Sequence, residues 1–231
     1  MGLKFHVLTL FPEMIYSGLN HSIIKRAIEK NLIYLNVVNI RDFSKNKHKK
    51  VDDYPYGGGT GLVIQAPPVY DAYKSLNINK NIRVCYLSPK GRIFNQNIAK
   101  EYSKEQEIVF ICGHYEGIDQ RVIDKIVTDE LSIGDFILTG GELGAMIVID
   151  SVTRLLPNVL SKENAIKNES FENNLLEHSQ YTRPYDFLGM KVPDVLLNGN
   201  HKEIEKYRKN ESIKITLEKR PDLREVKNEC T

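Results

Sequence analysis

The chain has 231 residues, 41% of them hydrophobic and 27% charged, with a formal net charge of +2. These values exclude a disordered polyelectrolyte and suit one large domain, or one medium domain with a small appendage. They also exclude a uniformly basic nucleic-acid coat, so any basic surface must be a local patch.

The first predicted element is a buried strand over Phe5 to Phe11. Pro12 then opens a helix that carries Ile15, Leu19, Ile23, Ile24, Ala27 and Ile28 at helical spacing. Leu32 to Ile40 reads as a second strand, and residues 41 to 61 as a long polar loop. Pro67 to Leu76 follows as helix, Ile82 to Leu87 as strand and Asn95 to Tyr102 as a short helix. Ile108 to Cys112 is a strand, Ile118 to Ile126 a helix and Leu131 to Leu138 a last extended segment. Glu142 to Leu155 closes the alternation as a helix. Continuous apolar strands alternating with helices predict an α/β fold, a mostly parallel sheet covered on both faces. Ligands of such sheets sit beyond the carboxyl ends of the strands. The stretches beyond those ends are SPKGR, GHYEG and TGGELG, each with glycine and polar groups.

After Pro157 the pattern changes. Residues 161 to 170, SKENAIKNES, are polar without an apolar face and read as a flexible linker. Residues 171 to 231 are lysine-rich and helical in character, and read as a small second domain. No apolar run reaches the length of a membrane helix, and the N-terminus is too briefly apolar for a signal peptide. The expectation is a cytoplasmic protein without a membrane partner. The three cysteines contain no Cys-x-x-Cys, and Cys85 and Cys112 sit in apolar runs, which predicts buried reduced thiols.

The loop PYGGGTG, residues 55 to 61, lacks the Gly-Lys-Ser/Thr ending of a nucleoside-triphosphate loop. A basic run over Arg41, Lys45, Lys47, His48, Lys49 and Lys50 precedes it, which fits either a solvated face or a loop that meets RNA phosphates. The six histidines show no metal-ligand spacing. His114 reads equally as a site residue or a strand-end histidine.

Several stretches change the reading when taken together. RDF…H…VDDYPYGGGTG, YLSPKGR, CGHYEGIDQRV, SIGDFILTGGELGAM with IDSVTR, and HSQYTRP with VPDVLLNGNH resemble the bacterial tRNA (guanine-N1)-methyltransferase family. The resemblance runs from about residue 5 to residue 220, in order. It implies transfer of a methyl group from S-adenosyl-L-methionine to N1 of guanosine 37, just 3′ of the anticodon. It implies a deep trefoil knot of the SPOUT superfamily near the cofactor site. It also implies a homodimer whose active sites are shared between subunits, acting on the anticodon arm of tRNA. On it, residues 1–160 become the catalytic domain, 161–170 the linker and 171–231 the tRNA-binding domain. Alternatives left open are another SPOUT methyltransferase acting on ribosomal RNA and a non-enzymatic RNA-binding protein.

The family's cofactor loops match Tyr86, Leu87, Ser88 and Pro89; Gly113, Tyr115 and Glu116; and Ile133, Gly134, Asp135, Phe136, Ile137, Leu138, Gly140 and Gly141. Gly140 and Gly141 are expected to let main chain approach the ligand. The family's base matches Glu169 and its helix arginine Arg154. Substrate contacts fall on His48, Asp52, Gly57, Gly59, Arg183, Lys202 and Arg208, with Lys206, Lys209 and Arg220 as further phosphate partners. A magnesium dependence is associated with the family, yet no metal-site signature is visible. The chain departs from the family at Glu169, where many relatives have Asp, and at Thr60 and Gly144, where Pro is common.

Overall fold

A computed structural model describes residues 2–78, 81–160 and 169–225. The chain divides into two compact units, Met1–Leu160 and Ser161–Thr231.

The first unit is built on a five-stranded sheet of β1 (Leu3–Thr9), β2 (Ile33–Asn39), β5 (Arg83–Ile93), β6 (Glu107–Ile111) and β7 (Asp129–Ser132). Its order is β2-β1-β6-β5-β7 and every pairing is parallel. The inner strands are the apolar ones because both of their faces are covered. On one face, Phe5, Phe110 and Leu131 pack with Ile15, Ala27, Val148 and Ile149. These come from α1 (Pro12–Leu19), α2 (Ser22–Glu29) and α6 (Glu142–Thr153), with α4 (Gln96–Tyr102) beside them. On the other face, Leu8, Val84, Val109 and Ile111 pack with Val69, Val122 and Ile126 of α3 (Ala66–Ser75) and α5 (Gln120–Ile126). The α/β class read from the alternation is the observed one.

Three differences from the sequence reading have local causes. The single helix expected after Pro12 is two, because Asn20 and His21 leave helical dihedrals between them and His21 is extended at φ −135 and ψ 155. The strand expected to run to Leu138 ends at Ser132, because Gly134 takes φ +140, a conformation closed to side chains. The polar loop after β2 is partly ordered. It holds a 3-10 turn over Ile40–Phe43 and a two-strand ladder of β3 (Asp52–Asp53) against β4 (Val63–Ile64).

In the second unit, α7 (His201–Lys219) is capped by the Asn200 side chain on Glu203 N and is followed by α8 (Asp222–Glu225). The stretch before α7 holds no α-helix among the described residues, only 3-10 turns over Glu172–Asn174 and Asp194–Leu196, contrary to the sequence reading. It forms a hairpin of β8 (Asp186–Phe187) and β9 (Met190–Lys191), punctuated by Pro184, Gly189 and Pro193. The expected linker over 161–170 lies outside the described residues except for Glu169 and Ser170.

Candidate active site

Three loops meet beyond the carboxyl ends of the strands. β5 reaches Leu87 in register with Leu131, bulges, and resumes with Arg92 opposite the same residue. The bulge pushes Ser88, Pro89 and Lys90 out of the ladder, and Ser88 Oγ accepts from Lys90 N at 3.1 Å. β6 ends at Ile111 and the chain turns through Gly113 to Gly117, with Gly117 N on His114 O at 3.0 Å. β7 ends at Ser132, whose hydroxyl bonds both N and O of Gly134 and fixes the start of the third loop.

The second and third loops are joined by main chain. Gly141 N donates to Gly113 O at 2.9 Å, and His114 pairs with Gly140 in an isolated antiparallel bridge. The second loop also holds the end of the glycine-rich loop, through Glu116 N on Leu62 O and Ile64 N on Gly117 O, both 2.9 Å.

These loops line an open cleft of about 400 Å³, within the range of small-molecule sites. Leu87, Ile133 and Leu138 supply apolar wall, and Lys90, His114, Glu116 and Glu130 supply charged or polar groups. Tyr86 lines it too. Burial, and then the Glu130 carboxylate, raises its phenol above the ordinary value, so the hydroxyl keeps its proton as a donor. Among the described residues no group of three or more His, Cys, Asp or Glu could hold a metal ion. Cys85 and Cys112 are buried and free; burial pushes the Cys85 thiol up to about 12 and Cys112 well up, so neither is a nucleophile.

All the residues matched to the family's cofactor loops line this cavity, except Asp135. The role expected of the double glycine needs correcting. A Cβ on Gly140 would lie 2.3 Å from the His114 ring, and one on Gly141 would lie 2.8 Å from Cys112 Cα. Their missing side chains make room for protein, not ligand, while their main chain still forms the wall. Sequence reasoning missed Lys90, Glu130 and Glu142. Glu142 looked like an ordinary acidic first turn of a helix, yet it is 1% exposed.

Arg154 and Glu169 do not line the cavity. Arg154 ends α6 and is half-buried in the first unit; Glu169 is half-buried in the second, its carbonyl accepting from Glu172 N at 3.2 Å. His48 and the glycines Gly57 and Gly59 are exposed, and open space surrounds both glycines at φ +86 and +126 save for the Pro55 ring near Gly59. Asp52, expected in an exposed loop, is 8% exposed because it pairs with Ile64 across the short ladder. In the second unit Arg183, Lys202 and Arg208 are exposed. Arg220 donates to Asp222 through two bonds of 2.9 and 2.7 Å.

A family model described as tRNA (Guanine-1)-methyltransferase TrmD matches residues 3–226. The chain belongs to this family. It is 56% identical over 230 residues to the tRNA (guanine-N(1)-)-methyltransferase of Clostridioides difficile strain 630, covering 98% of this chain and 100% of that one. It is 59% identical over 219 residues to the protein of the same name from Caldanaerobacter subterraneus subsp. tengcongensis, covering 95% and 90%. The corresponding protein of Caldicellulosiruptor saccharolyticus is 58% identical over 219 residues, covering 95% and 89%. Membership in a methyltransferase family makes this an enzyme with a methyl donor. Among the described residues no helix is long and apolar enough to cross a membrane.

Proposed function

We propose that the protein transfers the methyl group of S-adenosyl-L-methionine to N1 of guanosine 37, immediately 3′ of the anticodon, in tRNA. The observation that carries this is the cavity at the carboxyl edge of a parallel sheet, in a chain of this family. Its chemistry suits the donor. Leu87, Ile133 and Leu138 offer faces to an adenine, and loop main chain offers donors and acceptors to its edge. Glu116 and Glu130 offer negative charge to a sulfonium and an ammonium.

When bound, the donor supplies an electrophilic methyl group on sulfur. The protein's part is to position the base, remove a proton and stabilise charge. Glu169 accepts the N1 proton as the N1–methyl bond forms, a task for a carboxylate held in a water-poor place. Arg154 meets the negative charge that develops on O6 of guanine. The bound donor would supply its methyl group without the sulfur's bonding electrons and so depart as a neutral thioether, while the N1 proton ends on Glu169.

The N1 edge is the pairing edge, so the target base must be unpaired or turned out, as bases of an anticodon loop are. Arg183, Lys202 and Arg208 are exposed cations for the phosphates of that arm. The enzyme works as a homodimer in the cytoplasm, with Glu169 and Arg154 of one active site drawn from different subunits. An apolar groove of about 620 Å³ supports this. Leu19, Ile23, Leu143, Met146 and Ile147 line it, and it shares Ile133, Phe136 and Leu138 with the donor cavity. A second copy on that groove would cover Phe136 and Ile147, which are 55% and 46% exposed.

The test is methyl transfer from radiolabelled donor to tRNA transcripts with G or A at position 37. Label is expected on the G transcript alone. Equal labelling of both, or of neither, sinks the proposal.

A further inference from the structure

Glu142 lost its water when α6 packed against the sheet, so its carboxylate needs protein partners. Thr9 Oγ1 donates to Oε1 at 2.5 Å, and His114 Nε2 lies 2.7 Å from Oε2. The first turn of a helix adds a further preference for negative charge. A carboxylate only accepts, so the proton between His114 and Glu142 is assigned to Nε2. Three separate elements are tied here: the end of β1 at Thr9, the loop after β6 at His114, and the start of α6 at Glu142.

His114 is also the point where two walls of the cavity touch. Its main chain bridges Gly140, and its ring occupies the space where a Gly140 Cβ would sit. On its other side the Phe11 ring packs at 4.8 Å between centroids. Phe11 N in turn donates to the same Thr9 hydroxyl at 2.9 Å, which closes a ring of contacts. His114 lines the cavity, while Glu142 lies behind it.

We infer that the His114–Glu142 pair, anchored through Thr9 to the sheet, is a clasp that sets the separation of the 113–117 and 139–141 walls for the methyl donor. His114 and Glu142 are then positioning residues for donor binding. The inference rests on the function proposed above. Without the imidazole, Glu142 keeps one side-chain donor, and a buried carboxylate short of partners takes in water or shifts toward a new one. Either response moves the 139–141 wall, where Gly140 and Gly141 have no side chains to resist.

The experiment is calorimetric titration of S-adenosylmethionine into the full-length enzyme and its variants, with steady-state kinetics alongside. All measurements are made well below each variant's melting temperature. For His114→Ala, donor Kd and KM are expected to rise about tenfold, equivalent to ~1.4 kcal/mol. kcat at saturating donor should stay within about twofold. His114→Gln, which keeps an N–H donor for Glu142, should recover most of the affinity. Glu142→Gln combined with His114→Ala should cost less than the sum of the single changes, since both break one bond. If His114→Ala does not fold, the comparison of His114→Gln with Glu142→Gln carries the same test. Donor Kd unchanged within about twofold in the folded variants overturns the clasp, as does a loss confined to kcat. A wild-type enzyme that binds no donor and methylates no tRNA overturns the proposed function instead, and the clasp with it.

Discussion

The two units of this chain hold themselves together differently. In the first, whole strands are buried: Phe5, Leu8, Phe110, Ile111 and Leu131 are at most 2% exposed, and apolar clusters lie on both faces of the sheet. In the second, Thr216 is the single buried residue among those described, and Phe187, Leu188, Met190 and Leu197 are all more than half exposed. Thr216 earns its burial by polar bonding, its hydroxyl donating to Ser212 O at 2.6 Å and accepting from Leu176 N at 2.8 Å. The difference suits the division of tasks proposed above. A donor cavity needs walls fixed by a stiff core, whereas a surface that grips a phosphate backbone needs exposed cations on an adjustable frame.

The largest expected effects sharpen that division at the chemistry itself. Glu169→Gln and Arg154→Ala should each lower turnover by about 10²–10⁴-fold. Donor affinity measured by calorimetry should change less than about twofold. Full turnover in either variant removes that residue from the mechanism. Mixing the two inactive variants should recover part of the activity if sites are shared, and a mixture as dead as its components speaks against sharing.

Core substitutions should break the comparison if it is wrong. Phe110→Ala, in the sheet, should cost about 3–5 kcal/mol in denaturant unfolding. Leu188→Ala, 85% exposed at the hairpin tip, should cost less than about 0.5 kcal/mol. Similar costs at the two positions would mean the second unit has a core of its own.

A smaller effect concerns the charge network around Asp129 at the start of β7. The Asp129 side chain, 12% exposed, accepts from Arg92, Arg83 and the Tyr102 hydroxyl at 2.7 to 3.1 Å. Burial alone would raise its carboxyl, but hydrogen bonds from Arg92 and Tyr102 outweigh that and hold it below the ordinary carboxylate value. Its ionised form therefore stabilises the fold above the unfolded value, about 3.9, and that contribution is lost as pH falls through the lower folded value. Asp129→Asn should cost ~1–3 kcal/mol at pH 7, with the gap to wild type narrowing below about pH 4. A gap constant from pH 7 to pH 3 would mean the carboxylate charge does not matter.

The smallest expected effect is in salt dependence. Lys202→Ala and Arg208→Ala should each lower the slope of log affinity for tRNA against log salt by about 1, leaving donor affinity unchanged. An unaltered slope takes α7 out of the phosphate interface.

Much of this was legible in the residues alone. Continuous apolar strands between amphipathic helices dictate a covered parallel sheet, because only that arrangement buries such strands on both faces. The same pattern places ligand loops at the strands' carboxyl ends, and the cavity is there. What only the tertiary structure decided is which groups face one another across those loops. Gly140 proved to make room for the His114 ring, and an acidic helix start at Glu142 proved to be a buried partner of His114 and Thr9. Thr9 and Glu142 are 133 positions apart in sequence. Local pattern carries the period of burial along a helix or strand, but no period encodes a contact over such a distance. That contact exists only once the sheet has formed and the three chain ends meet at its edge.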